Sequence, residues 1–523
     1  MLADMMSRLL AFTFLLICCT SLLLPARGLA DTSPAPILRV GETMYRGGIT
    51  ADGAIEYFLG VPFAQPPVGK LRWRPPQPLV AAPTSVQALD FAPACAQGPH
   101  MVKWYRDLVA SFGGTPESFS APQVSEDCLY LNIWKPARTG SSPLPVLVYI
   151  HGGSNKGGWS YEPNYIGENL ARRGLVVVTI AYRLGVFGFF AHPELADANF
   201  ALLDQIAALQ WLRDHIGTAG GDTANLTLMG ESAGASNIAF LLASPSAAGL
   251  FQRAIHQSAG WAAIGRTTRE AQLERGVELQ ERLLGAEGSI EQLRKIPTQE
   301  LLRVAESVYE GQFFDPVVDG KSLAKPVKNV LHDQEFPAVD LLIGSNADEW
   351  LMYLEEGGSA QEWMRENLTA EQIEAVKPLL PVDAGPAQLQ DTLITAHNFV
   401  CPSMYLAEQV SRRGGRSWFY YFSRVREGRL AQSMGSYHGA ELPYVFNTHD
   451  DWLPTSELDR ELGEAMMDYW VNFVRSGDPN GPDLVTWPRF DRKAGTVLKL
   501  DTKIRAQAHE SLAICDILMP VAR

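Results

Sequence analysis

The sequence predicts an α/β fold in which a large, mostly parallel sheet is covered by helices on both faces. Continuous β-branched runs at Pro145–Ile150 and Leu175–Tyr182 are typical of strands that are buried on both sides. The apolar residues of Ala201–Ile216 recur at helical spacing, and another apolar run, Leu226–Met229, follows soon after that helix. Strand, helix and strand in this rhythm are typical of a parallel sheet with crossover helices.

Composition and charge limit the classes of protein to which the chain can belong. Its 523 residues are 46% hydrophobic and 20% charged, which is enough apolar material for a large core. The formal net charge is −14 and there is no basic run, so we expect no nucleic-acid partner, because phosphate binding needs concentrated lysine and arginine. No linker divides residues 31–523, which we therefore predict to be a single domain.

The first thirty residues differ in kind from the rest of the chain. Arg8 precedes a mostly apolar run, Leu9–Leu24, and small residues then stand at the positions that a signal peptidase reads before Asp31. This pattern predicts a signal peptide over residues 1–30, cleaved after export, and a secreted or periplasmic protein. An uncleaved membrane anchor is the alternative, although the run is short for a bilayer span. We expect no membrane segment after cleavage.

The cysteines fit an exported protein. Cleavage after residue 30 would leave four of them, at Cys95, Cys128, Cys401 and Cys515. An even number in an exported chain favours disulfides over metal ligation, and none of the four has the CxxC spacing of a zinc site. We expect neither a metal nor a cofactor.

The stretch LTLMGESAGASNIAFLL, from Leu226 to Leu242, carries the clearest chemical signal. A GxSxG pentapeptide is a weak match by itself, but here it stands between a predicted strand and a predicted helix, as in a nucleophile elbow. Gly230 and Gly234 fit this geometry, because a serine in a strained turn needs neighbours without side chains. We therefore predict Ser232 as a nucleophile, with an ordinary strand-to-helix turn as the alternative.

A serine nucleophile needs a histidine base and a carboxylate that orients the histidine. In α/β-hydrolases the three residues occur along the chain in the order serine, acid, histidine. His438 is the favoured base, because Gly435 and Gly439 on either side allow a loop to present its ring. For the acid, the loop after the predicted strand Val339–Ile343 offers Asp348 and Glu349, and the residues alone do not decide between them. The other downstream histidines are His332, His397, His449 and His509.

The loop His151-Gly152-Gly153-Ser154 follows the predicted strand Pro145–Ile150. A glycine-rich loop at this place supplies backbone N–H donors to an oxyanion hole, together with the residue after the nucleophile, here Ala233. Losing one such donor typically costs about 3 to 4 kcal/mol of transition-state stabilisation. A plain glycine turn is the alternative.

The remaining segments have simpler patterns. The Pro- and Gly-rich stretch Gly47–Pro78 predicts surface wrapping without long elements, and Arg266–Tyr309 is charged and helix-rich, with no obvious site, as in a cap or insertion. Strands are predicted within Val124–Pro136 and at Trp418–Phe422, and an amphipathic helix at Glu461–Val474.

Longer motifs extend over the chain from residue 60 onwards. They include SEDCLYLNIW at 125–134, AYRLGVFGF at 181–189, NFALLDQIAALQW at 199–211 and GGDTANLTLMGESAG at 220–234. The same set also includes GVPFAQPPVGKLRW, LFQRAIHQSAG, YHGAELPYVF and GDPNGPDLVTWPRF. Together these motifs resemble the type-B carboxylesterase and cholinesterase family over essentially the whole mature chain. The resemblance implies an α/β-hydrolase fold with helical insertions over an active-site gorge, and a serine esterase that hydrolyses small-molecule carboxylic esters through an acyl-enzyme.

The resemblance also implies roles for individual residues. It makes Ser232 the nucleophile, His438 the general base and Glu349, rather than Asp348, the acid. The oxyanion hole would be formed by Gly153, Ser154 and Ala233. The implied disulfides are Cys95 with Cys128 and Cys401 with Cys515, and the implied structural ion pairs are Arg72 with Glu126 and Arg183 with Asp204.

The chain departs from the family pattern beside the predicted oxyanion hole. Many members have a third glycine followed by an aromatic residue, whereas this chain has Ser154 and Asn155. We expect these side chains to face the substrate and to intrude beside its acyl group. Trp104 is a candidate for a choline-binding tryptophan, although the length of its loop differs from the family pattern.

The sequence leaves two other kinds of function open. A catalytically inactive, cholinesterase-like adhesion or binding module is one, which the presence of all three triad positions disfavours. A lipase, thioesterase or amidase with the same machinery is the other. The sequence does not give the natural ester or the oligomeric state.

Overall fold

A sheet of eleven strands lies at the centre of the fold. The computed structural model describes residues 35–519 except 81, 139, 141, 356 and 357, so the predicted signal peptide at residues 1–30 lies outside the described residues. The strands are β1 (Ile37–Val40), β2 (Thr43–Arg46), β3 (Gly48–Ile49), β4 (Ile55–Pro62), β5 (Ser85–Gln87), β6 (Ala94–Cys95), β7 (Val124–Ser125), β8 (Tyr130–Pro136), β9 (Leu144–Ile150), β10 (Val176–Ile180), β11 (Gly221–Glu231), β12 (Arg253–Gln257), β13 (Asp340–Asn346), β14 (Ser417–Phe422), β15 (Thr496–Leu500) and β16 (Arg505–Ala508).

The strand order of the large sheet is β16-β15-β14-β13-β12-β11-β9-β10-β8-β4-β3. All neighbours from β10 to β15 run parallel, and antiparallel pairs stand at both edges. The mostly parallel sheet predicted from the sequence is therefore confirmed. Strands β1, β2 and β5 form a small separate sheet, and β6 pairs with β7.

Helices cover both faces of the sheet, which explains the continuous apolar runs of its central strands. In β9, Val146 and Val148 belong to one buried cluster, whereas Leu147 and Tyr149 belong to another. Successive side chains of a strand point to opposite faces, so the two clusters lie on opposite sides of the sheet. The α-helices are His100–Ser111, Glu168–Arg172, Gly185–Gly188, Phe200–His215, Ala233–Ala243, Arg269–Leu284, Ile290–Leu293, Thr298–Val308, Val327–His332, Ala360–Asn367, Ala370–Val376, Pro386–Thr395, Cys401–Arg412, Arg429–Met434, Leu442–Val445, Glu457–Ser476 and Leu512–Leu518.

The predicted elements are present, with boundaries set by local chemistry. The helix expected at Glu461–Val474 begins earlier, at Glu457, because Ser456 and Asp459 form a reciprocal capping box. It ends at Gly477, which takes a left-handed conformation with φ +73°.

The prediction that Gly47–Pro78 would contain no long element was wrong for part of that stretch. Strand β4 has eight residues and extends the sheet by pairing antiparallel with β8. Phe58 and Val61 are buried in the core, so this segment has the apolar content of a strand despite the prolines that follow it.

Disulfides and buried ion pairs connect distant parts of the chain. Cys95 is bonded to Cys128 and Cys401 to Cys515, as the family resemblance implies. The Arg72–Glu126 and Arg183–Asp204 pairs have N–O distances of 2.6 and 2.7 Å, and all four side chains are almost inaccessible to solvent.

From Pro36 onwards, the contacts within the chain gather into one compact unit. Among the described residues, no helix is both long enough and apolar enough to cross a bilayer. Nor do any three or more His, Cys, Asp or Glu side chains in this part of the chain form a group that could hold a metal ion.

Candidate active site

Ser232 occupies a strained turn at the C-terminal end of β11, directly before the helix Ala233–Ala243. Its backbone has φ +56° and ψ −126°, a conformation that residues with side chains rarely adopt. The helix packs so closely on the sheet that a Cβ added to Gly234 would lie 2.0 Å from the carbonyl oxygen of Ile150. The glycine of the motif is therefore required by the contact between the helix and the end of β9.

The structure brings the three predicted triad residues together. The Nε2 atom of His438 lies 2.7 Å from Oγ of Ser232, and its Nδ1 lies 2.6 Å from Oε2 of Glu349. Glu349 is fully buried, and its other carboxylate oxygen accepts a hydrogen bond from the backbone N–H of Asn346 at 2.7 Å. The arrangement can move a proton from the serine to the imidazole while the buried carboxylate orients the ring.

Asp348, the other candidate acid, does not contact His438 but fixes the loop that carries it. One of its oxygens accepts from the backbone N–H of Ser436 at 2.8 Å, and the other accepts from Nε2 of Gln388 at 2.8 Å. Gly435 leaves room for this contact, because a Cβ there would lie 2.4 Å from the Asp348 carboxylate. The two neighbouring acids therefore contact the same loop, Asp348 through its backbone and Glu349 through the ring of His438.

The other four candidate histidines bond elsewhere. His332 is exposed beside Asp333, His397 contacts Asn398, His449 contacts Arg426, and His509 accepts from the backbone N–H of Ser511.

The backbone N–H groups of Gly153, Ser154 and Ala233 donate no hydrogen bond to any residue in the described part of the chain. Gly153 and Ser154 follow β9 and lie in the wall of the same cavity as Ser232. Both have left-handed backbone conformations, with φ +90° and +56°. Unpaired donors beside a nucleophile are what an oxyanion hole requires.

Of the two residues expected to face the substrate, the structure places only Ser154 in the cavity wall. The expectation was wrong for Asn155, which is fully buried behind the loop. Its Nδ2 donates to the carbonyl oxygen of Phe314 at 2.6 Å, and its Oδ1 accepts from Nδ2 of Asn237 at 2.9 Å. Asn155 thus ties the loop to two other segments of the chain instead of narrowing the cavity.

The cavity in front of Ser232 has a volume of ≈ 550 Å³. Aromatic side chains form much of its wall, including Trp104, Trp261, Phe313, Trp350, Tyr353 and Phe399. A concave, mostly apolar cavity with a few polar groups is typical of a small-molecule site. Trp104, the candidate choline-binding tryptophan, donates a hydrogen bond from Nε1 to the hydroxyl of Tyr353 at 3.0 Å.

Glu231 stands directly before Ser232, at a variable position of the GxSxG motif, and the sequence alone assigned it no role. It is buried, and its Oε1 lies 3.3 Å from Nε2 of His438. Burial acts to lower the pKa of His438, but the charge of Glu231 and the hydrogen bond to Glu349 outweigh it and raise that pKa. Burial in turn raises the pKa of Glu231 well above its ordinary value.

Arg266 also lines the cavity, although the segment from Arg266 to Tyr309 was expected to contain no obvious site. Its guanidinium carbon lies 4.5 Å from the ring centroid of Trp261 and 4.1 Å from that of Phe313. Sequence spacing gave no sign of this arrangement, because Phe313 is almost fifty residues away and meets Arg266 only in the folded chain.

The chain is similar to known esterases over most of its length. The model of the carboxylesterase family matches residues 44–393 and 382–516. The chain is 33% identical over 500 residues to the fumonisin B1 esterase of Sphingopyxis macrogoltabida, covering 87% of this chain and 84% of that protein. It is 31% identical over 477 residues to the para-nitrobenzyl esterase of Bacillus subtilis (strain 168), covering 87% of this chain and 93% of that protein.

Solved structures of PNB esterase have the same fold as this chain. A structure of PNB esterase superposes with a TM-score of 0.80 at 28% identity, covering 93% of this chain and all of that one. A second PNB esterase structure gives a TM-score of 0.76 at 29% identity, covering 90% of this chain and 97% of that one. The predicted α/β-hydrolase fold is confirmed.

The raised pKa of His438 predicts where activity is lost in acid. We expect His438 to act as the general base, which works only when unprotonated, so kcat/KM should fall as the pH drops through a pKa above the ordinary value of 6.5. Replacing Glu231 by Gln removes the charge that raises this pKa most, and should move the acid limb to lower pH. The measurement is kcat/KM for a neutral ester between pH 5 and pH 10. An acid limb that stays in place in the Glu231→Gln enzyme would show that Glu231 is uncharged over this range.

Proposed function

Because the chain belongs to the carboxylesterase family and is a carboxylic-ester hydrolase, we propose that it acts through an acyl-enzyme formed on Ser232. In this proposal His438 is the general base and acid, and Glu349 is the carboxylate that orients it. The observation that carries the proposal is the unbroken hydrogen-bonded series from Ser232 and His438, which line the cavity, to the buried Glu349, with contacts of 2.7 and 2.6 Å.

Acylation begins when Nε2 of His438 takes the proton of the serine hydroxyl as Oγ of Ser232 bonds to the ester carbonyl carbon. The carbonyl oxygen becomes an oxyanion, and the N–H groups of Gly153, Ser154 and Ala233 donate to it. The tetrahedral species collapses as the bond to the alcohol oxygen breaks, and His438 gives its proton to that oxygen. The products of this half-reaction are the free alcohol and the acyl-enzyme.

Deacylation repeats these steps with water in place of the serine. His438 takes a proton from the water as its oxygen attacks the acyl carbon, and the same three N–H groups stabilise the second oxyanion. The bond to Oγ then breaks and the proton returns from His438 to Ser232. One ester and one water become one acid and one alcohol, and the enzyme is restored without any redox step.

The burial of Glu349 supports its proposed role. With no exposure to solvent and one oxygen already accepting from Asn346, its remaining oxygen is directed at Nδ1 of His438. A fixed acceptor there keeps the proton on Nδ1, which leaves Nε2 free to accept the proton of Ser232.

The aromatic cavity favours small esters with an apolar alcohol or acyl part. Two relatives of the chain are named as a fumonisin B1 esterase and a para-nitrobenzyl esterase, so members of this family are named for different esters. Lipase, thioesterase and amidase activities use the same machinery. Rates on esters of increasing acyl length, beside matched thioesters and amides, would separate them.

We expect the substitution Ser232→Ala to abolish turnover. Removing the nucleophile of a catalytic triad lowers kcat on the order of a million-fold, because the residual rate comes only from binding and the oxyanion hole. The assay is hydrolysis of p-nitrophenyl butyrate by the purified protein, with retained cooperative thermal unfolding as evidence that the variant folds. Wild-type turnover in the Ser232→Ala protein would contradict the proposal.

The neighbouring acids provide a matched pair of variants. We expect Glu349→Gln to lower kcat about 10⁴-fold, because an amide at this position favours the wrong imidazole tautomer. Asp348→Asn alters a residue that contacts the backbone of the His438 loop but not the ring, so it should change kcat less than tenfold. Equal losses in the two variants would argue that both acids merely support the loop. The measurement is kcat at saturating p-nitrophenyl butyrate.

We also propose that residues 1–30 are a cleaved signal peptide and that residues 31–523 are the mature, secreted or periplasmic domain. The two disulfides support export, because such bonds persist mainly in oxidising compartments. Mass spectrometry of the protein recovered after export should therefore give Asp31 as the first residue. An intact N-terminus at Met1 would favour the uncleaved anchor.

A further inference from the structure

Arg266 is held rigidly in the wall of the catalytic cavity. Its Nε and Nη2 donate to the two carboxylate oxygens of Asp315 at 2.8 and 2.7 Å. The faces of its guanidinium group lie against the rings of Trp261 and Phe313. A guanidinium that is held in one orientation loses little conformational freedom when it binds a ligand.

One edge of this guanidinium group remains available. Nη1 of Arg266 makes no hydrogen bond to a residue in the described part of the chain, and the side chain is 18% exposed. Since Arg266 lines the cavity, this exposed portion adjoins the space that the substrate would occupy. Arginine stays charged at all working pH values, so the cavity has a permanent cation with unused N–H donors.

Two series of contacts connect this cation to the catalytic residues. The ring of Trp261 packs 5.4 Å from the ring of Phe399, which packs 5.4 Å from the ring of His438. On the other side, Asn155 of the oxyanion loop donates to the carbonyl oxygen of Phe314, between the residues that hold Arg266. The rings of Trp261 and Phe399 thus connect Arg266 to His438. The segment that holds Arg266 is in turn hydrogen-bonded to Asn155.

Side chains of both charges line the cavity. Glu231 lies beside His438, and Glu162 is bonded to the hydroxyl of Tyr105 at 2.6 Å. On the side of Arg266, Asp315 balances one charge, and Lys156 adds another, with its Nζ 5.8 Å from the ring centroid of Phe314. Burial and the charge of Arg266 lower the pKa of Lys156.

We propose that Arg266 is a subsite for a carboxylate carried by the ester substrate, in addition to the ester group that Ser232 attacks. The inference rests on the proposed function, because it assumes that the ester is cleaved at Ser232. The substrate class is therefore esters that carry a free carboxylate, such as half-esters of dicarboxylic acids. The carboxylate accepts the Nη1 hydrogen bonds while the aromatic rings exclude water from the pair.

The test compares anionic and neutral esters of equal length. Mono-4-nitrobenzyl adipate and 4-nitrobenzyl hexanoate differ by a carboxylate on the acyl part, and 4-carboxybenzyl hexanoate places one on the alcohol. For each ester, kcat/KM is measured from the released alcohol in wild-type enzyme, Arg266→Gln and Arg266→Lys. For one of the two anionic esters, we expect Arg266→Gln to lower the ratio of its kcat/KM to that of the neutral ester about tenfold to a hundredfold. The ester that responds shows whether the carboxylate belongs on the acyl or the alcohol part. Arg266→Lys should retain more of the ratio than Arg266→Gln.

Controls separate this inference from folding and from the proposed function. Arg282→Gln changes an arginine that is 48% exposed and pairs with Glu278, and it should leave the ratio unchanged. If Arg266→Gln is unstable because Asp315 is left unpaired, the Arg266→Gln, Asp315→Asn double variant removes both charges, and the same loss of ratio is expected. An unchanged ratio in both anionic series would overturn the inference. If the ratio is unchanged but Ser232→Ala abolishes all activity, only the inference about Arg266 fails, and the proposed function is retained.

Discussion

The contact between the helix Ala233–Ala243 and the end of β9 is the constraint on which the site depends. Gly234 lies so close to the carbonyl oxygen of Ile150 that no other side chain fits, and this closeness holds Ser232 in its positive-φ conformation. A Cβ at Gly234 would also lie 2.8 Å from the carbonyl oxygen of His151, so the start of this helix lies against the loop that follows β9. One steric contact therefore helps to position both the proposed nucleophile and the proposed oxyanion donors, and the strained serine is retained because the packing around it is buried.

The parallel sheet brings together residues that are far apart in sequence. Ser232 follows β11, the oxyanion loop follows β9, and Glu349 follows β13 by three residues. Because neighbouring parallel strands end at the same edge, their loops converge there without further elements. His438 comes from a longer loop after β14, which needs the extra anchor that Asp348 provides through Ser436.

Buried carboxylates dominate the electrostatics of the site. Glu349, Glu231 and Glu441 all lie close to His438, and Glu441 accepts from Gln257 and Asn346 at 2.9 and 2.7 Å. Glu349 and Glu441 accept hydrogen bonds from described residues, whereas Oε1 of Glu231 accepts none from them, and burial raises the pKa of both Glu231 and Glu441. An imidazolium on His438, as the proposed mechanism requires, would therefore lie among groups that favour positive charge, and Arg266 adds a cation to the wall of the same cavity.

The sequence by itself determined the parallel α/β architecture and the identity of Ser232 as the candidate nucleophile. These features are local, since strand runs and the glycines of the elbow are contiguous and have direct steric causes. Motif resemblance then selected Glu349 and His438, a choice that spacing alone left open between Asp348 and Glu349. Only the tertiary structure decided that Asn155 turns away from the cavity and that Arg266 turns towards it. Both outcomes depend on partners such as Phe314 and Asp315, which lie far along the chain and meet these residues only when the fold is complete.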